Sequence, residues 1–167
     1  MRRLLPLLLA LLGCNFPRVN LVPVPASESE VDGSPVGRQE RADLAVSVRY
    51  LGWSYGGLEF RVEVTNRSRT PVLVAPEEIE CRLRSAKRPP RAARPLDPHR
   101  PGNHLQAAEA LKKHTLISGE TLRGTVTFDL TTLEDARYRD IRVILQLGSE
   151  AFTFDFGRST GPVASVR

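Results

Sequence analysis

With 167 residues, 41% of them hydrophobic and 26% charged, the chain has room for one domain of ordinary size with its own apolar core. Its formal charge is +5, but two of those charges, Arg2 and Arg3, head an N-terminal export signal and leave with it, and only Lys87, Lys112 and Lys113 are lysines. A modestly basic exported domain of this kind excludes nucleic acid as the partner.

Residues 4–12 are apolar, which fits the roughly 7–15 residues of a signal core and falls short of the roughly 20 needed to cross a bilayer as a helix. A signal peptide over residues 1–13 follows. Leu11, Gly13 and Cys14 resemble the lipobox of bacterial prolipoproteins, with Leu12 bulkier than the small residue usual at its place. That resemblance implies cleavage after Gly13 and lipidation of Cys14, so that the membrane is a partner through the lipid. Asn15 stands where, in the resembled families, an aspartate retains the protein at the inner membrane. The expected location is therefore the cell envelope, at the outer membrane facing the periplasm or at the cell surface.

Residues 14–41 are rich in Pro, Ser, Gly and charge and show no period of 2 or 3.6, so they read as the lipidated cysteine and a flexible tether. From residue 42 the pattern becomes two-residue alternation. Leu44, Val46, Val48 and Tyr50 share one face, and Leu58, Phe60, Val62 and Val64 share the next. Trp53, Ser54, Tyr55, Gly56 and Gly57 supply turn chemistry between the two. Short strands follow at 71–75 and 77–84, where Ile79, Cys81 and Leu83 alternate with charged residues. With Cys14 acylated, Cys81 is left as a lone thiol and is expected in the core.

Residues 121–130 resume the alternation, Ile141 to Leu147 form the next strand, and Phe152, Phe154 and Phe156 share a face in the last. Thr131 and Glu134 stand at capping-box spacing, so a short helical turn is expected there. The fold class is all-β: an antiparallel β-sandwich of about seven strands over residues 42–157, with one or two helical turns and a tail at 158–167. Val62 to Asn66, together with Leu116 to Thr121, Gly124, Val126 and Phe128, resemble a recurrent bacterial envelope domain with an immunoglobulin-like fold. The resemblance implies that fold and leaves the chemistry open.

Residues 85–103 interleave Lys87, Arg88, Arg91, Arg94 and Arg100 with five prolines and cannot form a central strand. A long basic loop of this kind either docks on anionic envelope material or is a solvated insertion. Arg88, Arg91 and Arg94, with Trp53 and Tyr55 as aromatic anchors, are the candidate contact residues for an envelope partner. The expected function is non-catalytic binding or support of another envelope component, with no cofactor.

The alternative is a periplasmic zinc- or copper-binding protein using His99, His104 and His114, with Cys81 and Asp97 nearby in sequence. The helical-looking run 103–113 does not obviously aim His104 and His114 together. The spelling Gly157-Arg158-Ser159-Thr160-Gly161 matches a hydrolase nucleophile elbow, but all three histidines lie upstream and no helix follows. Glu77 with Glu78, and Glu134 with Asp135, are adjacent in sequence with nothing to set them across a cleft. No enzymatic constellation is expected.

Overall fold

The computed structural model describes residues 21–24, 30–31, 34–41, 43–54, 57–84, 89–97, 109–129 and 140–158. These residues form twelve strands: β1 (Leu21–Val24), β2 (Glu30–Val31), β3 (Ser34–Arg41), β4 (Leu44–Ser54), β5 (Gly57–Asn66), β6 (Val72–Val74), β7 (Ile79–Arg84), β8 (Arg91–Ala93), β9 (His114–Leu116), β10 (Thr121–Asp129), β11 (Asp140–Leu147) and β12 (Glu150–Arg158). One sheet runs β1-β12-β11-β7-β8 and the other β10-β5-β4-β3-β2, with every strand pair antiparallel. The small ladder β6-β9 touches β10 in one sheet and β11 in the other. The orders β4-β5-β10 and β7-β11-β12 match the A-B-E and C-F-G pairing of immunoglobulin-like sandwiches.

The alternation places the core. Val46 and Val48 of β4, Phe60 and Val62 of β5, Cys81 and Leu83 of β7, Val143 and Leu145 of β11, and Phe152 and Phe156 of β12 are all buried between the sheets. Phe60 sits at the centre of an aromatic cluster, 6.0 Å from Phe128 beside it and 5.2 Å from Phe156 across the sandwich, both tilted towards edge-on contact. Polar residues take the outer faces, where cross-strand partners meet: Arg123 donates to Glu63 at 2.7 Å, and the hydroxyls of Thr65 and Thr121 are 2.8 Å apart.

Three expectations need correction. The first is the tether, because Leu21–Val24 and Ser34–Arg41 are strands. β1 closes one edge against β12, where Leu21 is 2% exposed. β3 lies beside β4 and reaches over the seam to β12, with the Gln39 amide donating to Thr153 O and Arg41 donating to Ala151 O at 3.0 Å while stacking 4.6 Å from the Phe152 ring. The second is the strand count, raised above seven by these additions and by short edge strands. The third is the run at 103–113: of its described part, Ala110 makes a parallel bridge to Thr125 and Leu111 donates to Thr125 O at 2.9 Å, so it covers the β10 edge instead of coiling. Gly124 permits that approach, since a Cβ there would fall on the Leu111 backbone. Among the described residues the helical structure is a single 3-10 turn at Pro76–Glu78, while Thr131 and Glu134 lie outside them.

Asn66 ends β5 and is the one buried polar side chain among the described residues. Its amide donates to Thr70 O at 2.9 Å and Leu116 O at 3.1 Å, and its carbonyl accepts from Ser68 N and Ser68 Oγ, both at 2.9 Å. Its backbone completes the knot: Asn66 N donates to Glu120 O and Gly119 N to Asn66 O. Gly119 holds φ +79° in this turn, and the Glu120 carboxylate accepts from Ile117 N at 3.0 Å and lies 2.8 Å from His114 Nε2. The two sequence stretches that resemble the envelope domain are thus one hydrogen-bonded unit.

Asn66→Ala is expected to lower unfolding stability in urea by about 1–3 kcal/mol, because the Leu116 carbonyl and Ser68 N–H lose their buried partner. Asn66→Asp keeps the shape but faces two carbonyl oxygens with a carboxylate, so its folded-state pKa is raised. Its deficit relative to wild type should exceed that of Asn66→Ala at neutral pH and shrink as the pH falls and the acid protonates. For Glu120 the sign is opposite: the Ile117 N–H first, then His114, hold its carboxyl below the usual range. The Tm gap between wild type and Glu120→Gln should be greatest at neutral pH and close as the pH drops through that lowered pKa.

Candidate interaction site

β8 pairs with β7 for three residues, Leu83 with Arg91 through Cys81 with Ala93, and then leaves it. Pro95 has no N–H with which to continue the ladder. The chain crosses to the other sheet instead, where Pro95 bridges Phe128 and Leu96 donates to Thr127 O at 2.7 Å. This fork opens a groove of about 710 Å³ between the 3-10 turn and the start of β7 on one side and residues 92–97 on the other.

It is lined by Glu77, Glu78 and Glu80 from one segment and Arg94 and Asp97 from the other, together with Pro76, Ile79, Ala92, Ala93, Pro95 and Leu96. The Lys113 ammonium, bonded at 2.7 Å, holds Glu77 below the usual carboxylate range, and the Arg82 guanidinium at 2.8 Å does the same for Glu80. Both are ionised at neutral pH. Fixed charges beside apolar side chains in a groove are the chemistry of a binding surface.

The sequence candidates distribute unevenly around this groove. Arg94 lines it, and Arg91 is exposed at the outer edge of β8, so part of the supposed long loop is an edge strand. Trp53 pairs with Leu58 in the backbone register, after a bulge between Tyr50 and Gly52 shifts the phase of β4. Trp53 and Ser54 therefore belong to the strand, not to the turn. Arg88 and Tyr55 lie outside the described residues, as do Gly13 and Cys14. Glu77 and Glu78 both line the groove from the same segment, so they are not set across it from each other. The readable sign was Pro95, which stops an edge strand after three residues.

The metal candidates do not converge where they are described. His114 is exposed and held by Glu120, whereas Cys81 is buried in the core. Among the described residues no group of three His, Cys, Asp or Glu is placed to hold a metal ion, and His99 and His104 lie outside them. Burial, reinforced by the charge of Glu80, pushes the Cys81 thiol up to about 12. At neutral pH it stays a protonated, apolar core group. Tyr50, packed 5.5 Å from Phe60, is likewise pushed to about 12 by burial and by Glu59.

No protein-family model matches the chain, and no curated protein matches it significantly. Among solved structures it is similar to ycdA of Bacillus subtilis, a candidate lipoprotein, with 14% identity and a TM-score of 0.51 over 72% of this chain. The match covers 38% of ycdA, so this chain corresponds to well under half of that protein. It is also similar to the yjhA protein of Bacillus subtilis, with 13% identity, a TM-score of 0.42, and coverage of 65% of this chain and 76% of that one. A functionally unknown protein from Listeria monocytogenes is similar at 11% identity with a TM-score of 0.46, over 84% of this chain and 88% of the other. The likeness to ycdA is one of fold. Among the described residues no helix is long and apolar enough to cross a membrane.

Cys81 should resist an aqueous thiol reagent in the native protein and react fully once urea unfolds it, read by absorbance of the released chromophore. Native reactivity at neutral pH would contradict the core placement.

Proposed function

We propose that this chain is an envelope lipoprotein, held in the membrane by lipid on Cys14, whose β-sandwich binds or supports another envelope component without catalysis. The observation that carries the reading is Leu11-Leu12-Gly13-Cys14 at the end of an export signal, immediately ahead of an all-β domain. Each buried methylene of an acyl chain contributes roughly 0.8 kcal/mol, so the two or more chains on a lipoprotein cysteine anchor a protein stably without any membrane-spanning helix. The fold shared with ycdA, a candidate lipoprotein, supports this reading. Asn15 favours the outer membrane as the location, and the fork between β7 and β8, with Arg94 on its wall, is the surface offered to a protein partner.

Two measurements on cells expressing the full chain test the halves of this reading. The intact mass of the membrane-extracted protein should show residues 1–13 removed and acyl chains added at Cys14, and Cys14→Ser should remain an uncleaved precursor. A photo-crosslinking residue at Arg94 should yield one dominant protein adduct. Diffuse adducts, or only lipid adducts, would overturn the partner-binding half.

A further inference from the structure

We infer that the groove at the fork between β7 and β8 takes a basic extended segment of a partner protein. A lysine or arginine head of that segment meets the Glu78 carboxylate and the Ile79 carbonyl, while Arg94 holds one of its main-chain carbonyls. This rests on the partner-binding reading above and names the chemistry of the partner.

The backbone of the fork sets the polarity of the groove. Two residues, Gly148 and Ser149, turn β11 into β12, so Leu147 and Glu150 beside the turn exchange backbone hydrogen bonds. The alternation from there points Ala151 and Thr153 away from β11, and their carbonyls do accept from Arg41 and Gln39 on that outer side. Carried across β11, the same alternation turns the backbone groups of Ile79, Cys81 and Leu83 towards β8. Cys81 with Ala93 is the last pair of that ladder, and the next would be Ile79 with Pro95. Proline has no N–H to give, so the carbonyl of Ile79, a residue 3% exposed, faces the fork without its ladder donor. The donors nearby are spent: Ile79 N on Pro76 O, Glu78 N on Ala75 O at 3.0 Å, Leu96 N on Thr127 O at 2.7 Å, and Glu77 N on its own carboxylate. Pro76 has none. The fork is therefore rich in acceptors and poor in donors, and its occupant has to bring the donors.

The side chains agree. The carboxylates of Glu77, Glu78, Glu80 and Asp97 line the groove against the single guanidinium of Arg94, although the chain as a whole carries +5. Glu77 has Lys113, Glu80 has Arg82 and Asp97 is also engaged. Glu78 is exposed, feels the charge of Lys113 and makes no side-chain hydrogen bond among the described residues, so its acceptor positions are open. An acidic occupant would set its charge against these carboxylates. An ammonium or guanidinium brings donors and no acceptor, which is what Glu78 and the Ile79 carbonyl lack. Arg94, across the groove, is suited to a peptide carbonyl of the same segment. A volume of about 710 Å³ admits a short segment and not a folded domain.

The test uses the full chain in cells, with a benzophenone amino acid in place of Ala92, an exposed residue of the groove, so that Glu78 and Arg94 stay intact. Illumination should give one dominant protein adduct whose attachment site lies beside a lysine or arginine of the partner. Glu78→Lys should lower the adduct yield about tenfold, the scale of a lost charge-assisted hydrogen bond. Glu78→Gln, which keeps the shape without the charge, should lower it about three- to fivefold on the same scale, and Glu78→Asp, which keeps the charge, less than either. A yield that Glu78→Lys leaves unchanged or raises, or an attachment site with no basic residue beside it, overturns the basic occupant and leaves the partner-binding reading standing. Absence of a dominant protein adduct in the chain with native Glu78 overturns both. Thermal melts of the purified variants that match wild type establish that a lost adduct is not lost folding.

Discussion

One buried amide holds β5 in register with its neighbour β10. Asn66 satisfies both its donors and both its acceptor positions within a few residues on either side of the β5–β6 and β9–β10 turns, and its own peptide group closes the same knot. A carbonyl or amide left alone at this depth would cost more than most surface interactions contribute. The amide therefore penalises any slip of β10 along β5. A slip of one residue would turn Val126 and Phe128 out of the core and bring Arg123 and Thr127 in, undoing the aromatic cluster around Phe60.

The edges of the sheets are governed by a different rule, which is that unpaired backbone must be covered. β10 would be such an edge. Two segments cover it, residues 94–96 near its end and 109–111 near its middle, and the second can dock because Gly124 has no side chain. Covering β10 from both places draws the chain away from β7 and leaves the fork. The groove is thus a by-product of edge protection, and its polar lining follows because Glu77 and Glu80 lie on a surface where Lys113 and Arg82 can reach them.

Much of this was legible in the sequence because alternation is a direct image of a half-buried strand. The faces made by Leu44 to Val48, Leu58 to Val64, Ile79 to Leu83, Ile141 to Leu147 and Phe152 to Phe156 could be named from spacing alone. β3 could not. Its residues, Ser-Pro-Val-Gly-Arg-Gln-Glu-Arg, carry almost no apolar pattern, and it is a strand because β4 offers a ladder and β12 accepts from Gln39 and Arg41. β1 is four residues long, too short for a period to show. The groove was invisible for a further reason: its walls come from residues 76–80 and 92–97, which meet only after the chain has changed sheets. Trp53 was misplaced by the bulge after Tyr50, since an inserted residue shifts the phase of everything beyond it.

The pairing of β1 with β12 joins the first described strand to the last. Contacts of such long sequence separation form late, after the loop-closure entropy of the intervening chain has been met. A polypeptide made from its N-terminal end has Leu21 in place long before Arg158 is added, so the sheet cannot be completed until the last strand has emerged. For most of that interval β1 lacks its partner, and the final strand to arrive is the one that closes this edge of the sheet.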